Sequence, residues 1–150
     1  MNIYSLQKLT KEYKYNKEPR IIFQPVRGRD DPSVVINDIK MMAETKRFKK
    51  VTKITHFHYG ENSGDDLTYV DFLNGDTVLI KNYFTFGPSK MRSTEFANFL
   101  YHVGFPDDFS HSVVHIKDGY DLLLTIELDG TKEVDYRINV NKPEVIDPST

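Results

Sequence analysis

Two histidines, His56 and His58, lie two residues apart within the run Val51 to Tyr59. Alternate side chains of an extended chain share a face, so both imidazoles point the same way and two ring nitrogens can approach one zinc ion. A third ligand is needed, and His102, His111, His115, Asp65 and Asp66 are the residues able to supply one. No HExxH or comparable fixed-spacing element accompanies the pair. The expectation is that the two histidines occupy the outer face of a strand, that no metal is bound and that the chain uses no cofactor.

A second chemistry is electrostatic. Lys46, Arg47, Lys49, Lys50 and Lys53 place cations densely where a helix would end and a strand begin. Such a run can neutralise phosphates and bind nucleic acid with a steep salt dependence, or it can serve only to complement a helix dipole. Lys8, Lys11, Lys14 and Lys17, interleaved with Tyr4, Tyr13 and Tyr15, add the mixture of cations and stacking rings found on single-strand binders. The opposite sign gathers later in the chain: Asp121, Glu127, Asp129, Glu133 and Asp135 fall on or beside the last two expected strands. Carboxylates arrayed on a sheet face can imitate a phosphate backbone and occupy a basic groove on a partner. Residues 1–60 carry 13 Lys/Arg against 6 Asp/Glu, a net of +7, and residues 61–150 carry 7 against 16, a net of −9, so the total of −2 conceals a strong division.

No motif dictates a reaction. Serine is absent from any GxSxG elbow, and the glycines are scattered one per turn rather than gathered into a phosphate loop. Asp65-Asp66 and Asp107-Asp108 fall where acidic residues cap and turn a chain. The two-histidine phosphoesterases pair each histidine with a hydroxyl two residues on; here His56 is followed by Phe57-His58 and His111 by Ser112-Val113, so that family is not assigned. No catalytic residue is expected.

The elements that must position these groups follow from periodicity and turn chemistry. Ile3, Leu6 and Leu9 fit a short helix over residues 3–13. Arg20 to Gln24 reads as a short strand. Asp31-Pro32 opens a helix with Val35, Ile39, Met42 and Ala43 on one face, ending near Lys46. Strands are expected at Val51 to Tyr59, Leu67 to Leu73 and Thr77 to Phe86, the last two joined by an Asn74-Gly75 hairpin turn. A helix over Ser93 to His102 carries Phe96, Phe99, Leu100 and Val103 and stops at Gly104. Three further strands, His111 to Lys117, Tyr120 to Leu128 and Thr131 to Val140, are separated by Asp118-Gly119 and Asp129-Gly130 turns, with residues 141–150 as an irregular tail. The expected fold is α+β in one domain spanning 1–150: a mostly antiparallel sheet of six to seven strands with two main helices on one face.

Composition bounds the function classes. A chain of 150 residues with 19 aromatics (10 Phe, 9 Tyr) can bury a substantial core. With no cysteine it has neither a disulfide framework nor a thiolate metal site. Neither a signal-peptide pattern nor a membrane-length apolar run occurs, so a cytoplasmic protein without membrane contact is expected. Together these features favour a small non-enzymatic protein-binding module. It would be an inhibitor or immunity-type protein, of bacterial or phage origin on its Asn-, Lys-, Tyr- and Asp-rich composition, acting through a charged face on a partner such as a nucleic-acid-processing enzyme. The alternatives are a nucleic-acid-binding module using the basic region and, further off, a histidine-based metal-dependent hydrolase.

Overall fold

The computed structural model describes residues 1–25, 31–61, 64–117 and 119–139. The expected tail at 141–150, Val140, and Asp118 of one expected turn lie outside them. Seven strands form one sheet: β1 (Asn2–Lys8), β2 (Ile21–Phe23), β3 (Val51–Tyr59), β4 (Asp66–Phe72), β5 (Thr77–Lys81), β6 (Asp121–Glu127) and β7 (Val134–Asn139). Two long helices, α1 (Pro32–Ala43) and α2 (Met91–His102), and two single-turn helices, α3 (Asp107–Ser110) and α4 (Ser112–His115), complete the α+β fold.

The strand order is β2-β5-β4-β3-β6-β1-β7. The sheet is mixed rather than mostly antiparallel: the inner pairings β5–β4, β4–β3, β3–β6 and β6–β1 are antiparallel, while both edge strands, β2 and β7, join in parallel. The parallel edges arise because β1 lies between β6 and β7. Ile3 is the cross-strand partner of Glu127 on one side and of Asp135 on the other. Asp129-Gly130 is therefore not a hairpin turn but a crossover that steps over β1.

The expected helix over 3–13 is replaced by β1. Asn2, Tyr4 and Leu6 are buried and the residues between them are not, a period of two. Ile3, Leu6 and Leu9 fit a helical template too, but pairing on both flanks satisfies every backbone group of a strand, and that tertiary context outweighs local preference. The expected strand over His111 to Lys117 is likewise replaced, by α4, which follows directly on α3. Asp107 and Asp108 occupy the first turn of α3, where carboxylates complement the helix dipole, and Val113 and Ile116, three apart, enter the core. β5 stops at Lys81 instead of reaching Phe86, because Asn82 adopts a left-handed conformation with φ 58° that asparagine tolerates better than most residues.

Other elements match the sequence reading. Asp31 caps α1, its side chain accepting from the Ser33 amide, with Pro32 at the first helical position. Asn74-Gly75 turns β4 into β5, with Gly75 at φ 94°.

Among the described residues, helices cover one face of the sheet. There Tyr4, Leu6, Ile54, Val70, Ile80, Leu124 and Ile126 meet Ile39, Phe96, Phe99 and Leu100 in the main core. The opposite face carries a smaller cluster of Leu9, Phe57 and Leu123. It is covered by the segment between β1 and β2, which crosses the sheet as a strap: Tyr13 packs on Phe57, Tyr15 stacks on Tyr69 at 4.0 Å between centroids, and the Arg20 amide donates to Thr77 O at 2.7 Å. Tyr15 also donates its hydroxyl to Asp71.

The placement of β1 is directly testable in a chain without cysteine. Ser5 and Thr125 are cross-strand partners, and such partners have Cα atoms about 4.5–5.5 Å apart, within disulfide range. Ser5→Cys with Thr125→Cys should oxidise to an intramolecular crosslink visible as a mobility shift on non-reducing gels; a folded double variant that keeps both thiols free contradicts this strand order.

Candidate functional site

Three side chains converge at the end of the sheet where β3 finishes and β4 begins. His58 and Asp66 are cross-strand partners, and His56 is paired with Thr68. All four point toward the helix layer and all are buried. Both histidines thus face the core, contrary to the outer-face expectation, because α2 and the segment before it cover this side: Phe96 lies 4.6 Å from the His56 ring and Phe86 lies 5.0 and 4.9 Å from the His56 and His58 rings, centroid to centroid.

One carboxylate oxygen organises the group. Asp66 Oδ1 lies 2.8 Å from His56 Nε2 and 2.5 Å from His58 Nδ1, and His56 Nδ1 lies 2.7 Å from Thr68 Oγ1. With Nε2–H donating to the carboxylate, His56 Nδ1 is left to accept from the Thr68 hydroxyl. Burial pushes the His56 imidazole below its ordinary 6.5, outweighing the bond and charge of Asp66, which favour the protonated ring. Burial would raise Asp66, but the hydrogen bonds from both imidazoles overcome it and hold the carboxyl below its ordinary 3.8, at about 2. Asp66 is kept in register by Asn82, whose Oδ1 accepts from the Asp66 amide at 2.8 Å. Gly60 is part of the same arrangement: a Cβ there would stand 2.7 Å from Tyr120 O and 2.8 Å from His58 Nε2.

Of the expected third ligands, the fold brings Asp66 to the pair; His102, His111, His115 and Asp65 are not in this group. Asp66 had been placed in a loop and is instead the first residue of β4. Thr68 and Gly60 carried no motif; strand alternation opposite His56 is the signal that marks Thr68.

The charged candidates, Asp121 excepted, occupy the other end of the sheet. Lys46, Arg47, Lys49 and Lys50 are exposed around Phe48, which is buried against Phe72 with the Arg47 guanidinium 5.6 Å from its ring centroid. Backbone bonds from Leu73 N to Lys50 O at 2.9 Å and from Asn74 N to Phe48 O at 3.4 Å fasten this loop to the β4–β5 turn. Asp129 and Glu133 are exposed on the crossover loop, which is fastened by the buried Asn2: its Nδ2 donates to Thr131 O at 2.9 Å and Glu133 O at 3.0 Å, and its Oδ1 accepts from Asp129 N at 3.0 Å. Glu127 and Asp135 flank Ile3 on neighbouring strands, about 10 Å apart by strand spacing. Asp121 is at the opposite end of β6, about 20 Å away, where it accepts from the Glu61 amide.

Lys53 belongs to both patterns. It is the cross-strand partner of Glu127 and of Asp71, so the sheet's open face alternates sign at this level. Asp135 is bridged by Arg137 at 3.1 Å.

Two expectations follow for the buried group. Both His56 and Asp66 have folded values below their unfolded ones, so protons favour the unfolded chain as pH falls. The stability contributed by His56 is present above 6.5 and lost as pH drops below it, and that of Asp66 is lost from 3.8 toward 2. The urea midpoint should fall between about pH 7.5 and about pH 5.5, and fall less in His56→Gln; equal pH dependence in the two proteins contradicts this. Gly60→Ala should cost about 1–3 kcal/mol through overpacking, read from urea unfolding, and an unchanged midpoint would show that the close approach of Tyr120 is not enforced.

Compared with family models, with curated proteins and with solved structures, the chain gives no match.

Proposed function

We propose that this chain is a non-enzymatic protein-binding module of the inhibitor or immunity type, which engages its partner through the charged end of the sheet. The observation that carries the reading is that the basic loop at 46–50 and the acidic crossover at 129–133 stand at the same end, over β3 and over β6–β1–β7. By strand spacing the crossover begins about 5 Å from β3, over β6, and ends about 14 Å from it, over β7. Each loop is fastened to the sheet by the backbone and Asn2 bonds already given, so the backbone that carries its charges is in place before any partner arrives. Preorganisation of that kind lowers the ordering cost of association, and an ordered pair of opposite charges selects a partner carrying the reverse pair.

This arrangement favours a protein partner over nucleic acid. Phosphates attracted to Lys46, Arg47, Lys49 and Lys50 would meet the carboxylates of Asp129 and Glu133 along the same rim. Glu127 and Asp135 extend the acidic half onto the open face; Asp121 lies outside it. The cytoplasmic placement and the nucleic-acid-processing partner expected from sequence remain part of this reading, and no helix among the described residues is long and apolar enough to cross a membrane.

The experiment is capture of a stoichiometric protein partner from the host lysate, followed by charge reversal in each half. Lys49→Glu with Lys50→Glu, and Glu127→Lys with Glu133→Lys and Asp135→Lys, should each weaken the complex by roughly tenfold or more, mostly through slower association. Recovery of no protein partner overturns the reading. So does salt-steep binding to DNA or RNA that is abolished by the lysine reversals and insensitive to the acidic ones.

A further inference from the structure

The buried group at the far end of the sheet has the composition of a cation site. His56, His58 and Asp66 offer one donor atom each, and these atoms all lie within 4.8 Å of one another. Two imidazoles and a carboxylate form a three-ligand set that suits zinc, whose bonds of about 2.0–2.2 Å to nitrogen and oxygen place tetrahedral donors about 3.3 Å apart. The present separations from Asp66 Oδ1, 2.8 and 2.5 Å, need to open by less than about 1 Å to reach that spacing. The two imidazole donors, which lie within 4.8 Å of each other, must settle to the same spacing, so both the aspartate and the histidine side chains adjust on binding.

The surroundings fit as well as the donors. A metal-bound histidine characteristically directs its second nitrogen at an oxygen that fixes the ring; His56 Nδ1 has Thr68 Oγ1 at 2.7 Å. Phe86 and Phe96 close the helix side with apolar rings. Removing a carboxylate from water is expensive, and buried charges are generally paired or bound to metals. Asp66 is 5% exposed. A hydrogen-bonded polar cluster would be built from the same residues, but it does not require both imidazoles to aim at one oxygen.

We propose that His56 Nε2, His58 Nδ1 and Asp66 Oδ1 bind one zinc ion, leaving a fourth position for water, and that the ion clips the end of β3 to the start of β4. The site is independent of the partner-binding reading, since it lies at the other end of the sheet from both charged loops.

Tag-free protein, stripped with chelator and shown by circular dichroism to be folded, would be titrated with Zn²⁺ by calorimetry and its thermal midpoint recorded. One equivalent per chain should bind and raise the midpoint. Asp66→Asn, which keeps the shape and an acceptor oxygen, should bind at least tenfold more weakly, and His58→Gln should do the same. Cobalt(II) titrated into the unaltered protein should give the intense visible bands of a tetrahedral site, a readout that holds even if a variant fails to fold. The proposal is overturned if the folded protein takes up no zinc, if cobalt shows only its weak octahedral spectrum, or if Asp66→Asn binds zinc as tightly as the unaltered chain, which would place the ion on surface imidazoles.

Discussion

A strand made from residues 2–8 has to be seated between strands made from residues 121–127 and 134–139, and the rest of the architecture follows from that requirement. With β1 between them, β6 and β7 cannot form a hairpin, so the connection must step across and β7 must run parallel to β1. The same insertion brings Asn2 beneath the crossover, where its amide bonds the backbone of residues 129–133. A buried polar side chain with all its bonds made is costly to disturb. The acidic loop therefore inherits its rigidity from the opening of the chain, and its place beside the basic loop from the sheet order.

Local signals were readable in the sequence and long-range ones were not. Asp31-Pro32 announces α1 and Asn74-Gly75 announces a hairpin because both act within a few residues through capping and positive φ. The row Val134, Tyr136, Ile138 marks β7 by its period of two, which is also a local signal. Nothing within residues 3–13 says that two other strands will flank them, and a helix template fits Ile3, Leu6 and Leu9 until that pairing is known. Asp129-Gly130 has hairpin chemistry, yet the insertion of β1 turns it into a crossover. The histidine pair shows the same division: strand alternation puts His56 and His58 on one face, while the identity of that face depends on where α2 packs. Thr68 becomes meaningful only once the β3–β4 register sets it opposite His56.

Charge follows a comparable pattern. The division between the first 60 residues and the remainder survives folding as two neighbouring loops, but it is diluted on the open face, where Lys53 stands between Glu127 and Asp71. Lys17 approaches Asp71 at 3.8 Å and Arg20 approaches Asp76 at 3.7 Å. Asp71 is buried and also accepts from Tyr15 and Thr77, while the more open pair of Arg20 and Asp76 adds little to stability. The rim and the buried imidazole–carboxylate group are thus separated by the length of the strands, one in high dielectric and open to partners, the other dry.

The tyrosine strap has a length set by geometry. It leaves β1 at the histidine end, level with His58, and delivers the chain to β2 level with Ile54, five strand positions away, so it must cover about 24 Å across and about 13 Å along the sheet, roughly 27 Å on the diagonal. From Lys8 to Ile21 the backbone can reach at most about 44 Å. The slack of about 17 Å, some five residues of extended chain, is what lets Leu9, Tyr13 and Tyr15 dip toward the sheet while Lys11 and Lys14 stay outside. A shorter connection would have to choose between reaching the far edge and packing on the way.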